Sequence, residues 1–146
     1  QKYSQSGTRT YSTVEAQTWI QLAKAQGATP ILYPEHPQRG NPVEGGRVHN
    51  LHTSIAEQQA SCVAPVGLTW DEVILLRPEV KMYQSDGNHA SKVGAFLTSL
   101  VIYEAITGKS ADELPYIKGI NVDQHIQTLF KEVTTIIQMA NPACNF

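Results

Sequence analysis

The chain has 146 residues, 41% of them hydrophobic and 16% charged, which is enough apolar material to bury one core and too much for a disordered tail. Eleven Lys and Arg against thirteen Asp and Glu give a net charge of -2, without the basic excess that binding a nucleic-acid backbone demands. No apolar run approaches the length of a membrane span, since the most apolar stretch, 93–106, is broken by Thr98, Ser99 and Glu104.

In chain order, Ser12 and Glu15 have capping-box spacing. Val14, Ala16, Trp19, Ile20 and Ala23 then recur at helical intervals until Gly27, which predicts a first helix with Trp19 in its core face. Residues 28–33 read as a short strand bounded by Pro34. The stretch 35–47 holds Pro37, Pro42 and three glycines and reads as a loop of functional length. Glu35 and His36 would lie at the carboxyl edge of a parallel sheet, where ligands bind, and are candidate residues of a substrate-pocket rim.

A helix over 48–60 leads into 62–66, a buried strand that Pro65 ends. Thr69 and Glu72 form a second capping box for a helix through Leu76. Residues 91–107 form the most apolar helix, with Val93, Phe96, Leu97, Leu100, Val101 and Ala105 in one stripe and Gly108 as its stop. The last helix, 121–140, carries Val122, Ile126, Leu129, Phe130, Val133, Ile136 and Ile137 on one face. One domain, 1–146, is expected, with 117–146 as a C-terminal helical extension.

Helix and strand in alternation predict a parallel sheet covered by helices. The residues supply two convincing strands, so the others are expected from a missing N-terminal segment, from a partner chain, or from stretches of this chain whose pattern does not reveal them. Cys62 and Cys144 are too few for a disulfide scaffold, and whether they pair stays open. His49 and His52 could face one ion from a helix, yet no Glu accompanies them as in His-Glu-x-x-His and spacing indicates no third ligand. No metal site is assigned, and both are read as exposed residues at a helix start. His125 is read as satisfied or exposed, and Trp70 as core.

The block with chemistry in it is Ser85-Asp86-Gly87-Asn88-His89. An Asp three residues before a His, in a Gly-containing turn at the mouth of a buried helix, lets the carboxylate bend back to Nδ1–H while Nε2 faces outward. That is the base and orienter of a nucleophilic triad. The plainer alternative is an Asp that caps a turn beside a surface histidine.

Asp86-Gly-Asn-His89-Ala-Ser-x-x-Gly94-Ala-Phe-Leu, followed by Tyr103 and Thr107-Gly-Lys-Ser, resembles the C-terminal catalytic block of the SGNH/GDSL hydrolases. The resemblance implies a three-layer α/β/α, flavodoxin-like parallel sheet of which this chain is the C-terminal part. It implies His89 as general base, Asp86 as its orienting acid, no cofactor, and an O-acyl ester substrate, with acetylated carbohydrate and simple or lipid esters both allowed. The Gly-Asp-Ser-like nucleophile block of that family is not identifiable here, and no Gly-x-Ser-x-Gly elbow exists. The serine is therefore expected upstream or on another chain. Gln1-Lys-Tyr-Ser4 resembles a Gln-x-x-Ser segment of one SGNH-like subgroup, which would make the Gln1 amide an oxyanion donor. The chain opens at Gln1 with neither a basic nor an apolar leader, and a secreted or extracytoplasmic location is favoured. The rival expectation is a non-catalytic binding or structural module that keeps the hydrolase scaffold.

Overall fold

The computed structural model describes residues 12–144, so Gln1 and Ser4 lie outside the described residues. Five α-helices and two short strands follow in the order α1 (Val14–Ala25), β1 (Ile31–Leu32), α2 (Glu44–Gln58), β2 (Cys62–Val63), α3 (Val66–Leu76), α4 (Lys92–Thr107) and α5 (Gln124–Ala140), with a 3-10 turn at Ala111–Glu113 before α5. The strands pair in parallel, Ile31 opposite Cys62 and Leu32 opposite Val63.

This overturns the expected three-layer flavodoxin-like sheet. Among the described residues the sheet has two strands of two residues each, and the helices pack mainly on one another. Proline chemistry explains the short strands. Proline has no N–H to give to a ladder, and β1 is enclosed by Pro30 and Pro34. After β2 the chain bends at once: Val66 N–H donates to the Ala64 carbonyl, and Pro65 stands before the first turn of α3. The ladder itself is well made, with Cys62 N–H on the Pro30 carbonyl at 2.9 Å and Ala64 N–H on the Leu32 carbonyl at 3.0 Å. On the other side of β2, Val63 N–H donates to the Ala143 carbonyl at 2.7 Å, so the segment after α5 runs beside the strand. A Cys62–Cys144 disulfide, spanning 82 residues, fastens it there.

The core lies where α3, α4 and α5 meet. Trp70 and Val73 of α3, Phe96, Leu97 and Leu100 of α4, and Ile126, Phe130 and Val133 of α5 form one cluster with Met82. Phe96 and Phe130 stack with ring centroids 6.3 Å apart. Glycine sets two close approaches. Gly45 of α2 and Gly67 of α3 pack backbone against backbone, where a Cβ on either would meet the other's carbonyl oxygen at 2.7 Å. Gly94 of α4 leaves room for the Trp70 ring and the Met82 carbonyl.

Helix ends follow capping chemistry in part. Ser91 caps α4, its Oγ accepting from Val93 and Gly94 N–H, and Gly108 closes it in the left-handed region at φ 66°. Asp123 caps α5, which starts three residues later than expected, by accepting from Ile126 N–H at 2.8 Å. Thr69 lies inside α3 with its hydroxyl on the Pro65 carbonyl, so the expected capping box there does not form. α2 starts at Glu44 and shortens the expected loop from its far end. Trp19 is 71% exposed on α1, contrary to its core assignment, whereas Trp70 is fully buried.

Candidate functional site

Tyr83 and Ala90 form an antiparallel bridge, and the chain between them is a tight turn. Gln84 N–H donates to the His89 carbonyl at 2.8 Å, and Gly87 N–H to the Gln84 carbonyl at 3.1 Å. The turn needs a glycine at 87, whose φ is 71°, a region costly for a residue with a Cβ.

Within it Asp86 Oδ1 accepts from the backbone N–H of Asn88 at 2.9 Å and of His89 at 3.0 Å. Its Oδ2 lies 2.6 Å from His89 Nδ1. A carboxylate can only accept, so Nδ1 carries a proton, and in the neutral ring the lone pair is on Nε2. The His89 hydrogen bond first, and then the two backbone N–H groups, hold the Asp86 carboxyl well below the usual carboxylate range. The His89 side chain is 74% exposed, and among the described residues Nε2 has no hydrogen-bond partner. The spacing-based pairing of Asp86 with His89 is thus realised in space.

The loop after β1 clasps this turn. His36 Nε2 lies 3.0 Å from the Asn88 carbonyl, so His36 carries its proton on Nε2. Gln38 Nε2 donates to Asn88 Oδ1 at 3.1 Å. Arg39 N–H donates to the Gly87 carbonyl at 2.9 Å and its Nη2 to the Gln84 carbonyl at 2.7 Å. The Arg39 guanidinium lies over the Tyr83 ring, 5.4 Å from its centroid. His36 stacks on Trp70 at 4.2 Å, so the clasp rests on the core.

His36 therefore binds the turn next to His89, while Glu35 is exposed on the same loop and adds to the raised pKa of Tyr33, which burial mainly causes. Gln38 and Arg39 were not singled out from sequence. The signal that could have found them was the proline- and glycine-rich loop at the carboxyl end of a strand, where side chains reach across to a neighbouring turn. Gln1 is outside the described residues. His49 and His52 lie inside α2 rather than exposed at its start, with His52 Nδ1 on the Val48 carbonyl at 2.8 Å and burial pushing both imidazoles toward the neutral form. No group of three or more His, Cys, Asp or Glu among the described residues is arranged to hold a metal ion.

Beside the turn runs a groove of about 1340 Å³ between the 37–42 loop, α3 and the segment 77–85. Leu68, Leu75, Val80 and Met82 supply apolar walls, and Arg39, Arg77 and Lys81 with Asp71, Glu72 and Glu79 its charges, with Ser85 as the lining residue nearest in sequence to Asp86. Burial, joined by the field of Glu44, raises the Asp71 pKa to about 6 against a hydrogen bond from the Gly46 backbone.

The serines near the turn have other partners or none. Ser91 Oγ donates to the Lys81 carbonyl at 2.7 Å while capping α4, and no serine, threonine or cysteine among the described residues hydrogen-bonds to the His89 ring. What the arrangement offers is an imidazole held through Nδ1 by a carboxylate and open to solvent at Nε2. No helix is long and apolar enough to cross a membrane among the described residues. No protein-family model matches the chain, and no curated protein or solved structure matches it.

Proposed function

We propose that this chain supplies the acid–base pair of an SGNH-like serine esterase acting on O-acyl esters. The observation that carries the reading is the 2.6 Å contact between Asp86 Oδ2 and His89 Nδ1, with Nε2 turned outward. In the reaction a serine upstream of Gln1 or on a second chain attacks the acyl carbonyl, and His89 Nε2 takes its proton. A tetrahedral intermediate collapses to an acyl-serine as His89 returns the proton to the leaving alcohol. Water, activated by the same nitrogen, then releases the acid. Asp86 fixes the tautomer and stabilises the imidazolium. The clasp by His36, Gln38 and Arg39 holds the turn in place at the moment the ring charges.

The test is a serine-directed fluorophosphonate probe on the protein as isolated from its source, with the mass and N-terminal sequence of every chain present. Labelling of a species heavier than 16.1 kDa, lost in His89→Ala, is the expected result. A lone chain of this mass that neither labels nor hydrolyses p-nitrophenyl acetate overturns the reading. The absence of a nucleophile against His89 among the described residues favours the second reading, a non-catalytic binding module. That module would leave the probe unreacted while the folded protein retains a carbohydrate or protein ligand.

A further inference from the structure

The chain holds one Asp-Gly pair, Asp86–Gly87, and no Asn-Gly pair. Such a bond has a chemistry of its own, because glycine lacks the Cβ that would keep its amide nitrogen from the aspartate side chain. The electron pair of the Gly87 nitrogen attacks Asp86 Cγ and forms an N–Cγ bond. The amide proton and the carboxyl hydroxyl leave as water, which gives a five-membered cyclic imide. Water that adds at Cγ breaks the new bond and restores Asp86. Water that adds at the main-chain carbonyl carbon breaks its bond to the Gly87 nitrogen instead. The chain then runs through Cγ, and the residue is isoaspartate, an isomer of unchanged mass.

Ring closure needs a mobile Cγ, an uncommitted nitrogen and a carboxyl that can lose hydroxide. The turn withholds all three. Asp86 Oδ1 accepts from the N–H groups of Asn88 and His89 at 2.9 and 3.0 Å, and Oδ2 from the His89 ring at 2.6 Å, so Cγ is fixed. The same three donors keep the carboxyl ionised and a poor electrophile. Gly87 N–H is committed to the Gln84 carbonyl at 3.1 Å, and Arg39 Nη2 holds that carbonyl from outside at 2.7 Å. The Arg39 side chain also covers Gly87, where a Cβ would lie 3.3 Å from Arg39 Cβ. Water is not what is lacking, since the Asp86 side chain is 49% exposed.

We propose that Asp86–Gly87 is a covalent modification site, closed while the Arg39 and His89 side chains latch the turn and converting to isoaspartate once either is released. Isoaspartate puts an extra methylene into the main chain and takes one from the side chain, so the carboxylate loses its reach to His89 Nδ1. Opening of the latch is thereby made permanent. This chemistry is independent of any reaction that the Asp86–His89 pair serves.

The test is storage of the chain, Arg39→Ala and His89→Ala for several weeks at neutral pH, beside a synthetic peptide of residues 82–92. Trypsin cuts after Lys81 and Lys92 and releases that same segment from each protein. Isoaspartate at position 86 is counted by its chromatographic separation and its resistance to endoproteinase Asp-N. The intact chain is expected to convert at least about tenfold more slowly than the peptide, because conversion waits on local opening. Each variant is expected to convert several-fold faster than the intact chain, and both substitutions fall on exposed side chains. An intact chain that converts at the peptide's rate overturns the proposal. So does a rate that neither variant raises, or one raised only by the unfolded fraction that circular dichroism finds in the same samples. If Arg39→Ala does not fold, His89→Ala and the intact chain decide alone.

Discussion

The two ends of the small sheet solve opposite problems. At its carboxyl end the 35–43 loop and the 84–89 turn satisfy one another: the donors of His36, Gln38 and Arg39 go to acceptors of the turn, and Asp86 takes two backbone N–H groups and the His89 ring. What remains unpaired there is the exposed Nε2 of His89 and, beneath the clasp, the buried Nδ1 of His36. At the amino end the chain is held covalently, by Cys62–Cys144 with one backbone bond from Val63 to Ala143, and the unpaired polar atoms are buried. An unpaired nitrogen in water costs little and is available for chemistry. An unpaired polar atom in the interior is costly. On the proposed function, the carboxyl end is the reactive one and the amino end the tethered one.

The largest expected effect falls on the reactive end. Asp86→Asn keeps an oxygen for the two backbone N–H groups, but its amide must donate to His89 Nδ1, which moves the ring proton to Nε2 and removes the base. On the proposed reaction, turnover of p-nitrophenyl acetate by the longer protein falls on the order of 10⁴-fold with thermal unfolding unchanged. Unchanged turnover would remove Asp86 from the mechanism. The tethered end responds to reductant instead. Opening a cross-link that spans 82 residues costs about 4.5 kcal/mol in the chain-entropy account, lowering the melting temperature by roughly 10–20 °C. Calorimetry with and without dithiothreitol measures this, and an unmoved transition would mean that packing of α5 on α3 and α4 alone holds the tail.

How much of this was legible in the sequence follows from the range of each interaction. The Asp86–His89 contact is written within four residues, and its turn is forced by Gly87, so spacing alone reached it. Ser91 and Gly108 bound α4 for the same local reason. The three-layer sheet failed because alternation of helix and strand says nothing about strand length. Pro30, Pro34 and Pro65 confine the ladder to two residues a side, and the helices then bury their stripes on one another. Trp19 fits a helical period and still faces solvent, since period fixes which residues share a face, not what that face meets. The His36–Asn88 and Arg39–Gln84 bonds join residues 52 and 45 apart, which no local pattern encodes.

Smaller effects probe what supports the reactive end. Gly94→Ala places a methyl group against the Trp70 ring and the Met82 carbonyl, both fixed in the core. Overpacking of this kind costs about 1–3 kcal/mol. Because Trp70 carries the stacked His36, the substitution is expected to loosen the clasp too, raising hydrogen exchange at Gly87 and Asn88 beyond the loss of global stability. Exchange that follows global stability alone would show that the clasp stands independently of the Trp70 stack.

The smallest expected effect is the most specific in its pH dependence. Asp71 is half-buried on α3, where desolvation and Glu44 raise its pKa to about 6. Its folded value exceeds the unfolded one, near 3.9. Between the two the native state binds more protons, so stability falls as pH rises from about 4 to 6 and stays lower above that. Asp71→Asn keeps an acceptor for the Gly46 N–H and removes the buried charge. After allowance for solvent screening of a half-exposed group, the variant should be more stable by about 1 kcal/mol at pH 8, with the advantage gone near pH 4. Urea unfolding at the two pH values checks the sign. A gain of equal size at both would place the benefit in packing, and the ionisation of Asp71 would then carry no penalty.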